Sequence, residues 1–269
     1  MKMVEEEKKN VKVEDNDLEI EKEEIVEAPE EIEKAPEVKI DVDAWKPKTE
    51  LGRKVKSGEV SDIDFILDKG LPILECEIVD VLLPGLETEL LLSGQSKGKF
   101  GGGSRRVFRQ TQKKTPEGNK PSFACIVAVG NKDGYVGIGF GKSKDTVPAR
   151  EKAIRQAKLN IFKIRRGCGS WEDSSNEPHS IPFAVQGKCG SVVVKLMPAP
   201  KGKGLVVEKE LAKILSLAGI SNIYSKTFGR TSSKSNLVNA CVSALKKLSA
   251  FKISKDVAAK VGMIEGRVQ

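Results

Sequence analysis

The chain has 269 residues, 39% of them hydrophobic and 31% charged, which is room for one large domain or two ordinary ones. No apolar run approaches the ~20 residues of a membrane span, and the acidic N-terminus is unlike a signal peptide. The five cysteines are scattered and form no CxxC pair, which argues against a disulfide framework and suits a reducing, cytoplasmic setting.

The net charge of +8 conceals an asymmetry. Residues 1–44 carry 7 Lys against 17 Asp or Glu, so residues 45–269 carry 39 basic against 21 acidic groups, a net of +18. A body this basic favours a polyanionic partner, because each phosphate neutralised by Lys or Arg releases a condensed counterion. Nucleic acid and acidic membrane both satisfy that condition.

In chain order, residues 1–48 are Glu- and Lys-rich with isolated aliphatics and no wide apolar face, which predicts a disordered extension. A helix formed on a basic partner stays open as an alternative. Two short helices are expected next. "VSDIDFILDKG" offers Ser61 or Asp62 as a cap and Gly70 as a stop, and "LPILECEIVDVLL" sets a proline at an early helical position. Residues 97–120 then carry eight Lys or Arg against one Glu; Arg105 to Gln112 reads as a strand and "TPEGN" as a turn. "SFACIVAVG" and "YVGIGFGK" flank "NKDG", a hairpin signal. Thr146 and Pro148 open a helix expected to run to about Ile164. Its apolar stripe would be Ile154, Ala157, Ile161 and Ile164, with Lys152, Arg155, Lys163 and Arg166 roughly opposite.

After the loop "GCGSWEDSSNEPH", "SIPFAVQ" and "SVVVKLMPAP" read as strands joined by the turn "GKCG". "EKELAKILSLAG" is a helix stopped by Gly219, and "NIYSKTF" is a strand. A helix over Ser233 to Leu248 places Leu237, Cys241, Ala244 and Leu248 on one face. The pattern is α+β, with two such units in tandem. The expected division is an acidic extension at 1–48, a helical segment at 49–96, α+β units at 97–168 and 169–250, and a tail at 251–269.

The stretch "YVGIGFGKSKD" resembles a phosphate-binding loop, and its spacing rejects that reading. A Walker loop needs a glycine five positions before Gly141-Lys142-Ser143, where Val136 stands, and G-x-G-x-x-G fails at Lys142 or Lys144. The stretch instead alternates strictly: Val136, Ile138 and Phe140 on one strand face, Gly137, Gly139 and Gly141 on the other. A glycine face admits a close neighbour such as a helix. Catalysis finds no support elsewhere. The one histidine, His179, leaves a Cys-His pair with Cys168 or Cys189 as the only nucleophile reading, and zinc lacks a ligand set. No metal, no cofactor and no enzymatic activity are expected. "APKGKG", Ala199 to Gly204, reads as a flexible basic loop touching RNA. With only 5% aromatics, contact by phosphate and shape is expected over base stacking.

The run "SFACIVAVGNKDGYVGIGFGKSKDTVPAREKAIRQAKLNIFKIRRG" resembles the N-terminal RNA-binding domain of the universal S-five family of small-subunit ribosomal proteins, called S-two in eukaryotes. "PHSIPFAVQGKCGSVVVKLMPAPKGKGLVVEKELAKILSLAGI" resembles that family's C-terminal domain. "LPILECEIVDVLLPGL", "RRGCGSW" and "GKCGSVVV" resemble the archaeal and eukaryotic branch, and the likeness covers about Val60 to Leu248 in order.

The resemblance implies a double-stranded-RNA-binding-like domain at 97–168. The second α+β domain would carry a left-handed β-α-β crossover. It implies binding to small-subunit rRNA near the channel by which mRNA enters, beside the S-three and S-four proteins, with effects on decoding accuracy, RNA unwinding and subunit assembly. The family's basic hairpin matches Arg105 to Phe123, implicating Arg105, Arg106, Arg109, Lys113, Lys114 and Lys120. The following helix implicates Lys142, Lys144, Arg150, Arg165 and Arg166, to which its polar face adds Lys152 and Arg155. The loop with Lys201, Gly202, Lys203, Gly204 and Lys209 matches a region packing near the S-four protein, with Lys201 and Lys203 also available to RNA. The hairpin tip differs from the bacterial one, and the acidic extension is outside the shared pattern. The alternatives are a free-standing double-stranded-RNA-binding regulator and a small-molecule kinase; the latter lacks a phosphate loop and a catalytic acid.

Overall fold

The computed structural model describes residues 45–96, 103–173 and 175–267; the expected acidic extension up to residue 44 lies outside them, as do Lys97 and Lys99 of the basic segment. None of the described helices is long and apolar enough to cross a membrane.

Three short helices come first: α1 (Glu50–Lys56), α2 (Ile63–Asp68) and α3 (Cys76–Leu82). Thr49 caps α1 by accepting from Gly52 N at 3.1 Å. Val55, Ile63, Ile66, Ile78 and Val79 bury their side chains with Trp45, Tyr135 and Ile161 in a small core. The third helix starts later than the proline implied. Glu75 is held extended just before it, because its carboxylate accepts from Trp45 Nε1 (3.0 Å), Lys48 N (2.9 Å) and Thr49 N (2.6 Å).

The first sheet comprises β1 (Glu87–Leu91), β2 (Arg109–Thr115), β3 (Gly118–Gly130), β4 (Tyr135–Ser143) and β5 (Ile161–Lys163), all antiparallel. The 13-residue β3 serves two partners in succession: its first half pairs with β2, its second with β1. Strand β2 begins at Arg109 rather than Arg105, because 105–108 fold back over 94–96 through Gly94 N to Arg106 O (2.8 Å) and Arg106 N to Gln95 O (3.0 Å). Thr115 pairs with Gly118, so the tip is a two-residue turn with Gly118 at φ 120°. At the "NKDG" hairpin Asn131 Oδ1 accepts from Asp133 N and Tyr135 N.

Helix α4 (Thr146–Leu159) stops five residues short of the expected end, because Ile161–Lys163 leaves the helix and pairs with Tyr135–Gly137 as β5. The stripe Ile154–Ala157–Ile161–Ile164 is therefore not one helix face. The buried face is Ala149, Ala153 and Ala157, and it lies directly on the glycine face of β4. A Cβ at Gly137, Gly139 or Gly141 would stand 2.2, 2.0 or 1.9 Å from the carbonyl oxygens of Ala157, Ala153 and Ala149. The glycines of "YVGIGFGKSKD" serve helix-to-sheet contact.

The second sheet runs β7 (Val185–Cys189), β8 (Val192–Pro198), β10 (Ile223–Phe228), β9 (Leu205–Val206), with only β9 and β10 parallel. The β7–β8 turn is Gly190–Ser191; Gly187, Lys188 and Cys189 of the expected "GKCG" turn belong to β7. Helix α5 (Lys209–Leu217) connects β9 to β10, and α6 (Lys234–Ala250) covers β7. There the glycine device recurs, a Cβ at Gly187 falling 2.0 Å from Ala240 O. Leu237, Cys241, Ala244 and Leu248 are buried as expected.

One core joins the two sheets. Ile126, Ala128 and Val136, on the β3–β4 face opposite α4, pack with Val194, Leu196, Leu211, Ile214 and Leu237. Glu210, 3% exposed, crosses the same boundary by accepting from Leu92 N at 2.7 Å. After α7 (Lys255–Lys260), β11 (Ile264–Glu265) pairs with β6 (Arg165–Arg166).

Candidate nucleic-acid interface

The β2–β3 arm carries the basic segment. Six of seven residues of β2 are exposed, and so are residues 118–121 of β3, so both faces of the ribbon meet water. A two-stranded ribbon without a buried face is marginal in water and presents its charges in all directions. Arg106, Arg109, Lys113, Lys114 and Lys120 are exposed and Arg105 is half-buried. Among the described residues only Lys120 of these six has a carboxylate partner, Glu117 at 2.7 Å, an exposed pair of little energetic consequence.

Behind the arm, Lys142 and Lys144 are exposed where β4 runs into α4, and Lys152 and Arg155 are exposed on the helix face away from its alanines; Arg150 is half-buried. The arm and this helix both belong to the first α+β layer, the one as part of its sheet and the other packed on it.

Two of the expected residues stand apart. Arg165, its side chain 16% exposed, is paired with Glu265 and donates to the carbonyls of Leu248 (3.1 Å) and Phe251. Arg166 is 5% exposed, paired with Asp133 at 2.7 Å and donating to Gly266 O at 3.0 Å. Both tie the C-terminal strand to the body and face inward.

The loop Lys201–Gly204 is held from beneath by a polar network. Asn222 Oδ1 accepts from Gly202 N (3.1 Å) and Gly204 N (2.9 Å), which orients its amide, and its Nδ2 lies 3.1 Å from His179 Nδ1. The imidazole proton is thereby placed on Nε2, 2.8 Å from Asp173 Oδ2, and that carboxylate also accepts from Lys201 N (2.9 Å). Lys203 and Lys209 are exposed, and Lys201, also exposed, pairs with Glu177 at 2.7 Å. Cys168, Asp173 and His179 bring three potential ligand atoms within 4.8 Å, yet both imidazole nitrogens and the carboxylate are engaged by protein groups. Burial pushes the Cys168 thiol up, that of Cys125 to about 11 and that of Cys241 to about 12, which favours the protonated, unreactive form of these three.

The amides of Ser175 and Lys201 hold the Asp173 carboxyl well below the usual carboxylate range. A depressed acid stabilises the fold above its unfolded pKa, about 3.9, and loses that contribution as pH falls through the folded value. Asp173→Asn is therefore expected to lower Tm by about 2–4 °C, the effect of one hydrogen bond's worth of stability. In circular-dichroism melts the deficit should be constant from pH 7 to about pH 4 and shrink only in stronger acid.

Sequence reasoning passed over Arg230, in the loop between β10 and α6. Its signal was "GRTSSKS", a basic run rich in serine ahead of a helix.

Comparison with known proteins agrees with this architecture. The model of the ribosomal protein S5 N-terminal domain matches residues 107–165, and that of the S5 C-terminal domain matches residues 187–261. Among similar proteins, the small ribosomal subunit protein uS5 of Nanoarchaeum equitans is 50% identical over 229 residues, 85% of this chain and 98% of that one. Its counterpart in Methanocaldococcus jannaschii is 45% identical over 231 residues, covering 86% and 100%. That of Methanobrevibacter smithii is 46% identical over 226 residues, covering 84% and 99%. With both domains matched in order, the chain belongs to the ribosomal protein S5 family, whose members are structural proteins and not enzymes.

Proposed function

We propose that the chain is a structural component of the small ribosomal subunit, bound to rRNA through the β2–β3 arm and the outer face of α4. The observation that carries this reading is the arm: an exposed ribbon whose Arg106, Arg109, Lys113 and Lys114 have no carboxylate partner among the described residues. Such a ribbon fits a groove lined with phosphates, and each contact steepens the salt dependence of binding by roughly 0.7–0.9 in log–log slope.

The finer reading follows the family resemblance. The first sheet with α4 is a double-stranded-RNA-binding-like domain, and the β9–α5–β10 connection is its partner domain's left-handed crossover. The proposed division at 1–48, 49–96, 97–168, 169–250 and 251–269 takes one amendment, since β1 at Glu87–Leu91 pairs within the first sheet. The protein lies near the channel by which mRNA enters, beside the S-three and S-four proteins, with Lys201 to Lys209 toward the latter. It supports decoding accuracy and assembly in the cytoplasm. Sedimentation of the tagged chain in a lysate tests the core of this proposal: co-migration with the small subunit is expected, and a profile confined to free protein overturns it.

A further inference from the structure

Where the shared core ends, the two sheets part and leave a cleft of about 520 Å³, within the range of sites that hold a nucleotide-sized ligand. One wall is the base of the arm, with Arg105 and Arg109; the other is the loop before α6, with Arg230, Ser232 and Ser233. Phe140 forms part of the floor. It sits on the β4 face opposite the glycines, in line with the buried Val136, but past the reach of the second sheet, so the residue is 51% exposed. Among the described residues no Asp or Glu lines the cleft and no carboxylate pairs with Arg105, Arg109 or Arg230. The Ser233 hydroxyl does not cap α6, and the first turn of that helix contains no acidic residue.

Cations brought from two distant chain segments around an uncovered aromatic ring match one ligand chemistry. The guanidinium groups take a phosphate and the ring takes the face of a base. A free phosphate would leave Phe140 without a role, and duplex RNA offers no unstacked base. We propose that this cleft holds a single unstacked RNA nucleotide, its base on Phe140 and its phosphate between Arg230 and the arm-base arginines. The inference rests on the RNA-binding reading above and adds to it a site that reads single strands.

The test uses the full chain with two labelled probes, a single-stranded oligouridine and a blunt RNA duplex, titrated by fluorescence anisotropy. Phe140→Ala is expected to weaken oligouridine binding roughly 5- to 150-fold, the range for loss of one stacked base, with duplex binding changed by less than about twofold. Phe140→Trp should restore it. Arg230→Ser should reduce the oligouridine salt slope by about 0.7. A 5-bromouridine probe should crosslink to the peptide containing Phe140. Equal losses on both probes, or an unchanged oligouridine affinity with Phe140→Ala, overturn the nucleotide site and leave the rRNA-binding reading standing. A wild-type chain that binds neither probe overturns both.

Discussion

Gly139→Ala is expected to lower Tm by about 6–12 °C. The added Cβ would lie 2.0 Å from Ala153 O and 2.3 Å from Ala157 N. Both are backbone atoms of α4, so no side chain can rotate away, and the helix must lift from β4 along its length. Overpacking that moves backbone costs about 3 kcal/mol or more. Gly58→Ala is the control: Gly58 has φ 81° with nothing within 4 Å of the new methyl, so only local backbone strain is added, roughly 1 kcal/mol. Circular-dichroism melts of the two variants settle the matter. A Gly139→Ala protein melting with the Gly58→Ala control would show that α4 is not seated as described.

The second large effect concerns affinity. Replacing Arg106, Arg109, Lys113 and Lys114 together by serine should reduce the log–log salt slope of rRNA binding by about 3, and affinity at physiological salt on the order of a hundredfold. Thermal stability should hold, because none of these side chains is buried or ion-paired among the described residues. A titration of rRNA binding against salt distinguishes the outcomes. An unchanged slope would mean that the arm makes no phosphate contacts.

Much of the architecture could be read from local pattern. The alternation from Tyr135 to Gly141 announced a strand with one bare face, and that face determines how α4 sits. The stripe of α6 was equally legible because helical period and burial coincide over its length. The misreadings have a shared cause, a decision taken by a distant segment. Ile161 and Ile164 continue the helical period of α4, but pairing with β4 wins at Ile161. "ETELL" of β1 has charged residues in two of five positions and becomes a strand because β3 offers an open edge.

The site divides along the same line. Arm lysines and arginines were visible as a charge cluster. The inward position of Arg166 was not, since its partners Asp133 and Gly266 lie 33 and 100 residues away. The role of Asn222 beneath the 201–204 loop was hidden for the same reason, being fixed by amides 18 and 20 residues upstream.

The pairing of Ile264–Glu265 with Arg165–Arg166 also sets a timetable. During synthesis the hairpin, α4 and the second sheet all emerge before the segment that covers Arg166, so until then Asp133 is the carboxylate that holds its guanidinium and the Gly266 carbonyl is missing. A chain cut short after α6 would lack this latch and keep an open strand edge at Arg165–Arg166.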